Sequence, residues 1–189
     1  MLRLFSCFPL LVGLIFCASA MNTLAADFHA AHAIAKQYLK ATILHDWESA
    51  VKLVDKESLE NVKAFQTQHL KNAPTQADEE KLLRLLSMKD VEEIHRMTPA
   101  DVYIRRGKAQ TKMLANSKNL LPQMRKTLSL QTLATGMEGK NLVHATIRRK
   151  YVVDGNQFSE LAYISLTGEG TVWKVSLDAQ EPTITPVKK

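Results

Sequence analysis

The hydrophobic pattern of this chain changes period once, and that change limits its fold more than any other feature. From Phe28 to about Asn116 apolar residues recur at helical spacing. From about Thr127 to Leu177 they alternate, as in strands. Helices first and strands afterwards predict an α+β fold, with helices packed on one face of an antiparallel sheet of about four strands. The first helix places Phe28, Ala31, Ile34, Ala35, Tyr38, Leu39 and Thr42 on one stripe and Lys36, Gln37 and Lys40 opposite. Asp46 is the expected N-cap of a short helix bearing Trp47, Ala50, Val51 and Val54. A third helix is predicted from about Ser58 to Lys71, and a fourth behind a Thr75–Asp78 cap. Ser87 and Thr98-Pro99 punctuate two more short helices, and Gly107 interrupts the pattern of 102–116. No internal repeat is visible.

The strand half is read from its turns. Leu128 to Thr135 should end at Gly136-Met137-Glu138-Gly139. Leu142 to Val153 is a long strand turned by Asp154-Gly155, a strong hairpin signal. Phe158 to Leu166 returns, Thr167-Gly168-Glu169-Gly170 turns again, and Thr171 to Leu177 closes the meander. With Asp154-Gly155 at the turn centre, Tyr151 faces Phe158, Arg149 faces Glu160, Ile147 faces Ala162 and Ala145 faces Ile164. These residues share one face, which Trp173, Val175 and Leu177 extend. His144, Thr146, Arg148 and Lys150 form the solvated face. Arg149 and Glu160 therefore interrupt an apolar surface. One reading is a cross-strand ion pair near a sheet edge, worth about 0.2–1 kcal/mol. The other is the polar anchor of an apolar pocket, where losing one partner costs about 3–5 kcal/mol.

The N-terminus sets the compartment expected. Arg3 precedes an apolar run from Leu4 to Cys17, followed by Ala18-Ser19-Ala20. This is the charged, apolar and small-residue order of a secretory signal, with cleavage expected after Ala20 and a second option after Ala26. An uncleaved anchor needs about 20 apolar residues, more than this run has. Phe16 stands where a lipoprotein signal at Cys17 would have a small residue. Removing 20 of the 189 residues leaves 169, enough for one domain over 28–177, with a flexible 21–27 and a frayed 178–189. Both cysteines, Cys7 and Cys17, leave with the signal. Thiol nucleophiles, thiolate metal sites and thiol redox chemistry are thereby excluded from the processed chain.

The remaining chemistry is sparse. His29 and His32 are three apart on a helix, but no third ligand accompanies them, so no metal and no cofactor are expected. His45 lies at a helix end, where the dipole favours imidazolium, and a capping role fits it better than catalysis. No G-x-S-x-G elbow or glycine-rich phosphate loop occurs. Charge is uneven: residues 102–150 carry eleven bases, among them Arg105, Arg106, Lys108, Arg148 and Lys150, against Glu138 alone. Residues 46–101 carry twelve acids and eight bases. A basic surface of this kind attracts an anionic envelope polymer, lipid headgroups or an acidic protein partner. Nucleic acid is the least attractive partner, given export and few aromatics for stacking.

The run Tyr38-Leu39-Lys40-Ala41…His45-Asp46-Trp47-Glu48-Ser49-Ala50, short helices and then a meander resemble the cone-shaped nuclear transport factor 2-like superfamily over roughly 28–177. The helical stretch 71–116 is longer than that layout calls for. The resemblance implies a curved sheet and an apolar cavity between first helix and sheet, used for catalysis, for binding or merely as core, with dimers formed through the sheet. The superfamily's catalytic Asp or His–Asp pair matches no positions here, so no catalytic residue is carried over. The expectation is an exported binding or assembly protein of the bacterial envelope, with Tyr38, Arg149, Tyr151, Glu160 and Trp173 as candidate ligand contacts and an unidentified small ligand or envelope protein as partner. The alternative is a small isomerase- or dehydratase-type enzyme using general acid–base chemistry in the cavity. A homodimer through the sheet is the third reading.

Overall fold

The first helix, α1, occupies residues 28–43 and begins the ordered description of a computed structural model that covers residues 28–114, 120–139 and 141–177. The expected signal, both cleavage sites and the tail 178–189 lie outside the described residues. Ala31 and Ala35 are wholly buried on the inner stripe of α1, and their small side chains let the helix lie close to the sheet. The helix ends in a Schellman turn. His45 adopts φ 59°, the His45 amide donates to the Thr42 carbonyl at 3.1 Å, and the Asp46 amide to Ala41 at 2.8 Å. Asp46 then caps α2 (Trp47–Ala50), as the sequence predicts, by accepting from the Ser49 amide.

A 3-10 turn, Val51–Leu53, leads to α3 (Lys56–Lys71), capped by Asp55. α4 (Gln76–Leu86) starts at the expected Thr75 cap, and α5 (Glu92–Arg96) is short. α6 (Pro99–Leu114) is not short, and it runs straight through Gly107. The reason is local: a Cβ on Gly107 would lie 2.2 Å from the Trp47 ring, so glycine there admits the indole rather than breaking the helix. α7 (Leu120–Thr127) was not expected from the sequence.

Four strands follow: β1 (Ser129–Glu138), β2 (Leu142–Val153), β3 (Asn156–Glu169) and β4 (Val172–Ser176), in the antiparallel order β1-β2-β3-β4. The α+β architecture and the meander are as predicted. The hairpin register also agrees, with Tyr151 opposite Phe158 and Arg149 opposite Glu160. Two turns move. β1 passes through Gly136 to pair Met137 with Val143, and a register shift between Thr132 and Ala134 accommodates the extra residue. β3 likewise continues through Gly168, which pairs with Trp173. Strand pairing thus overrides the turn propensity of both glycines.

Two cores result. The larger joins α1, Trp47, Ala50, Val54, Val62 and Tyr103 to Val143, Ala145, Ile147, Ala162, Ile164, Leu166, Trp173 and Val175 of the sheet. The smaller is all helical: Leu70, Leu83, Leu86, Met88, Ile94, Val102 and Ala109.

Candidate functional site

Helices α1, α3 and α6, with Trp47 of α2, and the side of β3 bound a cleft of about 580 Å³. Helical spacing builds its walls. Tyr103, Arg106, Gly107 and Gln110 recur at i, i+3, i+4 and i+7, so α6 presents all four to one side. α1 supplies Tyr38, Leu39 and Thr42; α3 supplies Asn61, Val62 and Phe65. The sheet side is formed by Arg149 and residues 161–165 of β3, and the far end by Val175, Ser176 and Leu177. The space directly between α1 and the sheet is packed core; the opening lies beside it, at the edge of β3.

Polar groups converge on an aromatic wall. The Tyr103 hydroxyl donates to the Tyr38 hydroxyl at 3.1 Å. Burial raises the pKa of both phenols, chiefly by desolvating the phenolate, while the nearby Arg106 guanidinium pulls the other way. Both therefore stay protonated at neutral pH, as hydrogen-bonding groups and not as bases. Arg106 lies 6.0 Å over the ring of Phe65, which is 57% exposed at the cleft mouth. Among the described residues no carboxylate or imidazole lines this cleft.

Of the residues singled out from sequence, Tyr38 and Arg149 line the cleft, while Tyr151, Glu160 and Trp173 do not. Arg149 Nε meets Glu160 Oε2 at 2.5 Å, with both atoms shielded from solvent. Their alignment is that of an ion pair rather than of a directed hydrogen bond. The Tyr151 hydroxyl donates to Glu160 Oε1 at 3.2 Å, and its ring stacks on Phe158. Burial and the Glu160 charge keep the Tyr151 phenol protonated. The pair is neither fully exposed nor fully buried, with side chains 23% and 32% accessible. Trp173 is structural: it is 3% exposed and its indole N–H donates to the Gly170 carbonyl at 2.7 Å.

Among the described residues, the basic side chains named from sequence do not form one patch. On α6, Arg105 pairs with Glu93 at 2.7 Å and Lys108 with Glu48 at 2.6 Å, so the acidic segment neutralises part of the basic one. Arg106 turns into the cleft. Arg148 and Lys150 stand on the other face of the sheet, opposite Leu161 and Ser159.

Sequence reasoning missed Tyr103 and Phe65, although their spacing with Arg106 and with Val62 was readable once both helices were assumed continuous. It also missed a polar relay on the outer face, where His144 lies opposite Ser165. His144 Nδ1 is 2.9 Å from Ser165 Oγ, and its Nε2 is 2.9 Å from Glu138 Oε2. A hydrolytic triad uses the two nitrogens the other way round and adds an oxyanion hole. Here Ser165 sits mid-ladder, paired with Ser176, so its own amide is in the sheet. The relay fits a cross-strand polar ladder. His32 likewise contacts Thr135. Among the described residues no group of three metal-ligating side chains is assembled.

Comparison with protein-family models, with curated proteins and with solved structures yields no match.

Proposed function

We propose that this chain is an exported binding protein of the bacterial envelope that works through the cleft between α1, α3, α6 and β3. The observation that carries the proposal is the lining itself. An aromatic and aliphatic wall meets a small set of convergent polar groups, Tyr38, Tyr103 and Arg106, as in sites that take up small ligands. The volume falls within the usual range of about 300–1,000 Å³ for ligand sites. The acid–base alternative draws less support, because the cleft's ionisable lining consists of protonated phenols and arginines. Export rests on the Arg3, Leu4–Cys17 and Ala18-Ser19-Ala20 pattern. The resemblance to the nuclear transport factor 2-like layout is supported by helices followed by a meander; the α4–α6 stretch is its main departure.

The test uses 8-anilinonaphthalene-1-sulfonate, an aromatic anion that matches the cleft in both respects. Saturable fluorescence enhancement is expected on the native chain, reduced at least about tenfold in affinity by Phe65→Lys or Arg106→Ala. Phe65 is exposed, so its replacement should leave the fold intact. No enhancement, or enhancement indifferent to both substitutions, would remove the cleft from consideration.

A further inference from the structure

β3 is 14 residues long, yet β4 pairs only with its last five, Ser165 to Glu169. Residues 156–164 therefore have β2 on one side and, among the described residues, no strand on the other.

Which backbone groups face that open side follows from parity. In a strand, the N–H and C=O of one residue point to the same side, and successive residues alternate. The Val175 carbonyl accepts from the Asp55 amide and the Leu177 amide donates to Ser58 Oγ, so odd residues of this segment point away from β3. Ser176 therefore points toward β3 and its partner Ser165 toward β4. Counting back, Gln157, Ser159, Leu161 and Tyr163 aim their amides and carbonyls at the open side.

Native sheets guard such edges with prolines, bulges or projecting charges. This one has none of those guards. Residues 156–164 contain no proline, pair with β2 without a register shift, and carry one charge, Glu160, which is paired within the sheet. Four of the seven exposed large hydrophobic residues described, Phe65, Phe158, Leu161 and Tyr163, lie on this edge or across the cleft from it.

Building on the cleft reading above, we propose that its occupant is an extended acidic polypeptide segment of a partner, which pairs with the free edge of β3 in line with β4. The charge of the site selects the partner. On the inner face Arg149 is already matched by Glu160; on the outer face Arg148 and Lys150 flank Leu161 and Ser159, and it is this pair that favours acids. The whole chain carries +6. A segment that alternates apolar with acidic residues places the apolar set against Val62, Phe65 and Tyr103. Its acids then fall on the outer face, near Arg148 and Lys150.

The chain's own C-terminus fills this role poorly. In continued register the even residues face β3, and the third of them beyond Leu177 is Pro182, which has no amide to give. A ladder made by the tail stops there, short of Ser159 and Gln157. A second copy would bring like charges together, Arg148 and Lys150 on each side.

The experiment measures fluorescence anisotropy of a labelled nine-residue peptide alternating valine or phenylalanine with glutamate, titrated with the processed full chain. Binding is expected, weakened by salt. Methylating the peptide's alternate backbone nitrogens on the pairing side should weaken it at least about tenfold, by removing ladder bonds. Leu161→Pro should do the same from the protein side, because it deletes an amide that faces outward and spares the β2 ladder. If that variant fails to fold, the methylated peptide on the native chain decides alone. The naphthalenesulfonate titration separates the two proposals. A chain that takes the dye but not the peptide, or takes methylated and unmethylated peptide alike, keeps its cleft and loses the strand pairing. Peptide binding gained only on removing 178–189 would assign the edge to the tail. A dimer in native mass spectrometry that Leu161→Pro dissociates would assign it to a second copy. Either result overturns the proposal.

Discussion

Gly107→Ala is a substitution in which two ordinary rules disagree, and the structure decides between them. In the interior of an exposed helix the change would stabilise by about 1 kcal/mol, from propensity alone. Here the added Cβ would sit 2.2 Å, 2.5 Å and 2.6 Å from three atoms of the Trp47 ring. Ordinary carbon contact begins near about 3.5 Å, so the indole must move by more than about 1 Å. It is poorly free to do so. Trp47 is 9% exposed, meets Tyr103 edge to face at 6.2 Å and donates its indole N–H to Thr111 Oγ1 at 3.0 Å. Overpacking costs about 1–3 kcal/mol and the strained hydrogen bond about 1 kcal/mol more. Set against the propensity gain, the expected net loss is about 2 kcal/mol. For a domain of this size that lowers Tm by about 4–8 °C. The assay is thermal unfolding followed by circular dichroism, with tryptophan emission reporting the indole's displacement. The control is the same substitution beside Trp47→Ala, where removal of the ring should turn the effect neutral or stabilising. An unchanged or raised Tm in the Trp47 background would refute the claim that this glycine exists to admit the ring.

Three further outcomes are expected. Ser58→Ala removes a wholly buried hydroxyl that accepts from the Leu177 amide at 2.8 Å and donates to Asp55 Oδ2 at 2.7 Å. Leaving that amide without its partner should cost about 2–3 kcal/mol in chemical denaturation; a loss under about 0.5 kcal/mol would contradict the linkage. Arg149→Ala should cost about 1–3 kcal/mol, between the values for exposed and buried pairs, and Glu160→Gln alongside it should recover part of the loss. An unchanged Tm in Arg149→Ala would count against any structural role for the pair. Burial holds the His45 imidazole below its usual pKa, contrary to the imidazolium expected at a helix end. The unfolded chain then binds the extra proton first, so His45 destabilises as pH falls from about 6.5 toward its folded pKa and has no such effect above. His45→Asn keeps the left-handed turn and should flatten the melting profile between pH 7 and pH 5; an identical profile would refute the assignment.

The fold was legible because its main signals are local. Asp46, Thr75 and Asp154-Gly155 each fix a boundary within a few residues of themselves, and the hairpin register follows from the turn alone. What was not legible depends on partners distant in sequence. Gly107 reads as a helix breaker until Trp47, sixty residues earlier, is laid against it. Gly136 and Gly168 read as turns until β2 and β4 supply ladders that carry them. The cleft shows the same division. Arg149 was visible as a polar interruption of an apolar face and Tyr38 as part of the first helix's inner stripe, whereas Tyr103 and Phe65 acquire meaning only when α6 and α3 stand side by side. Basic charge was countable from sequence, but its pairing with Glu48 and Glu93 was not.

α6 belongs to both cores at once, with Tyr103 turned toward the sheet and Val102 and Ala109 toward the helical cluster. The wall of the cleft is thus a beam braced from behind by α4 and α5, none of whose residues is in the lining. Buried packing at Leu86 and Ile94 should therefore help to set how far the opening can give. A chain with a slack helical cluster would keep its sheet and its cleft residues in place on average, yet with a wall freer to move.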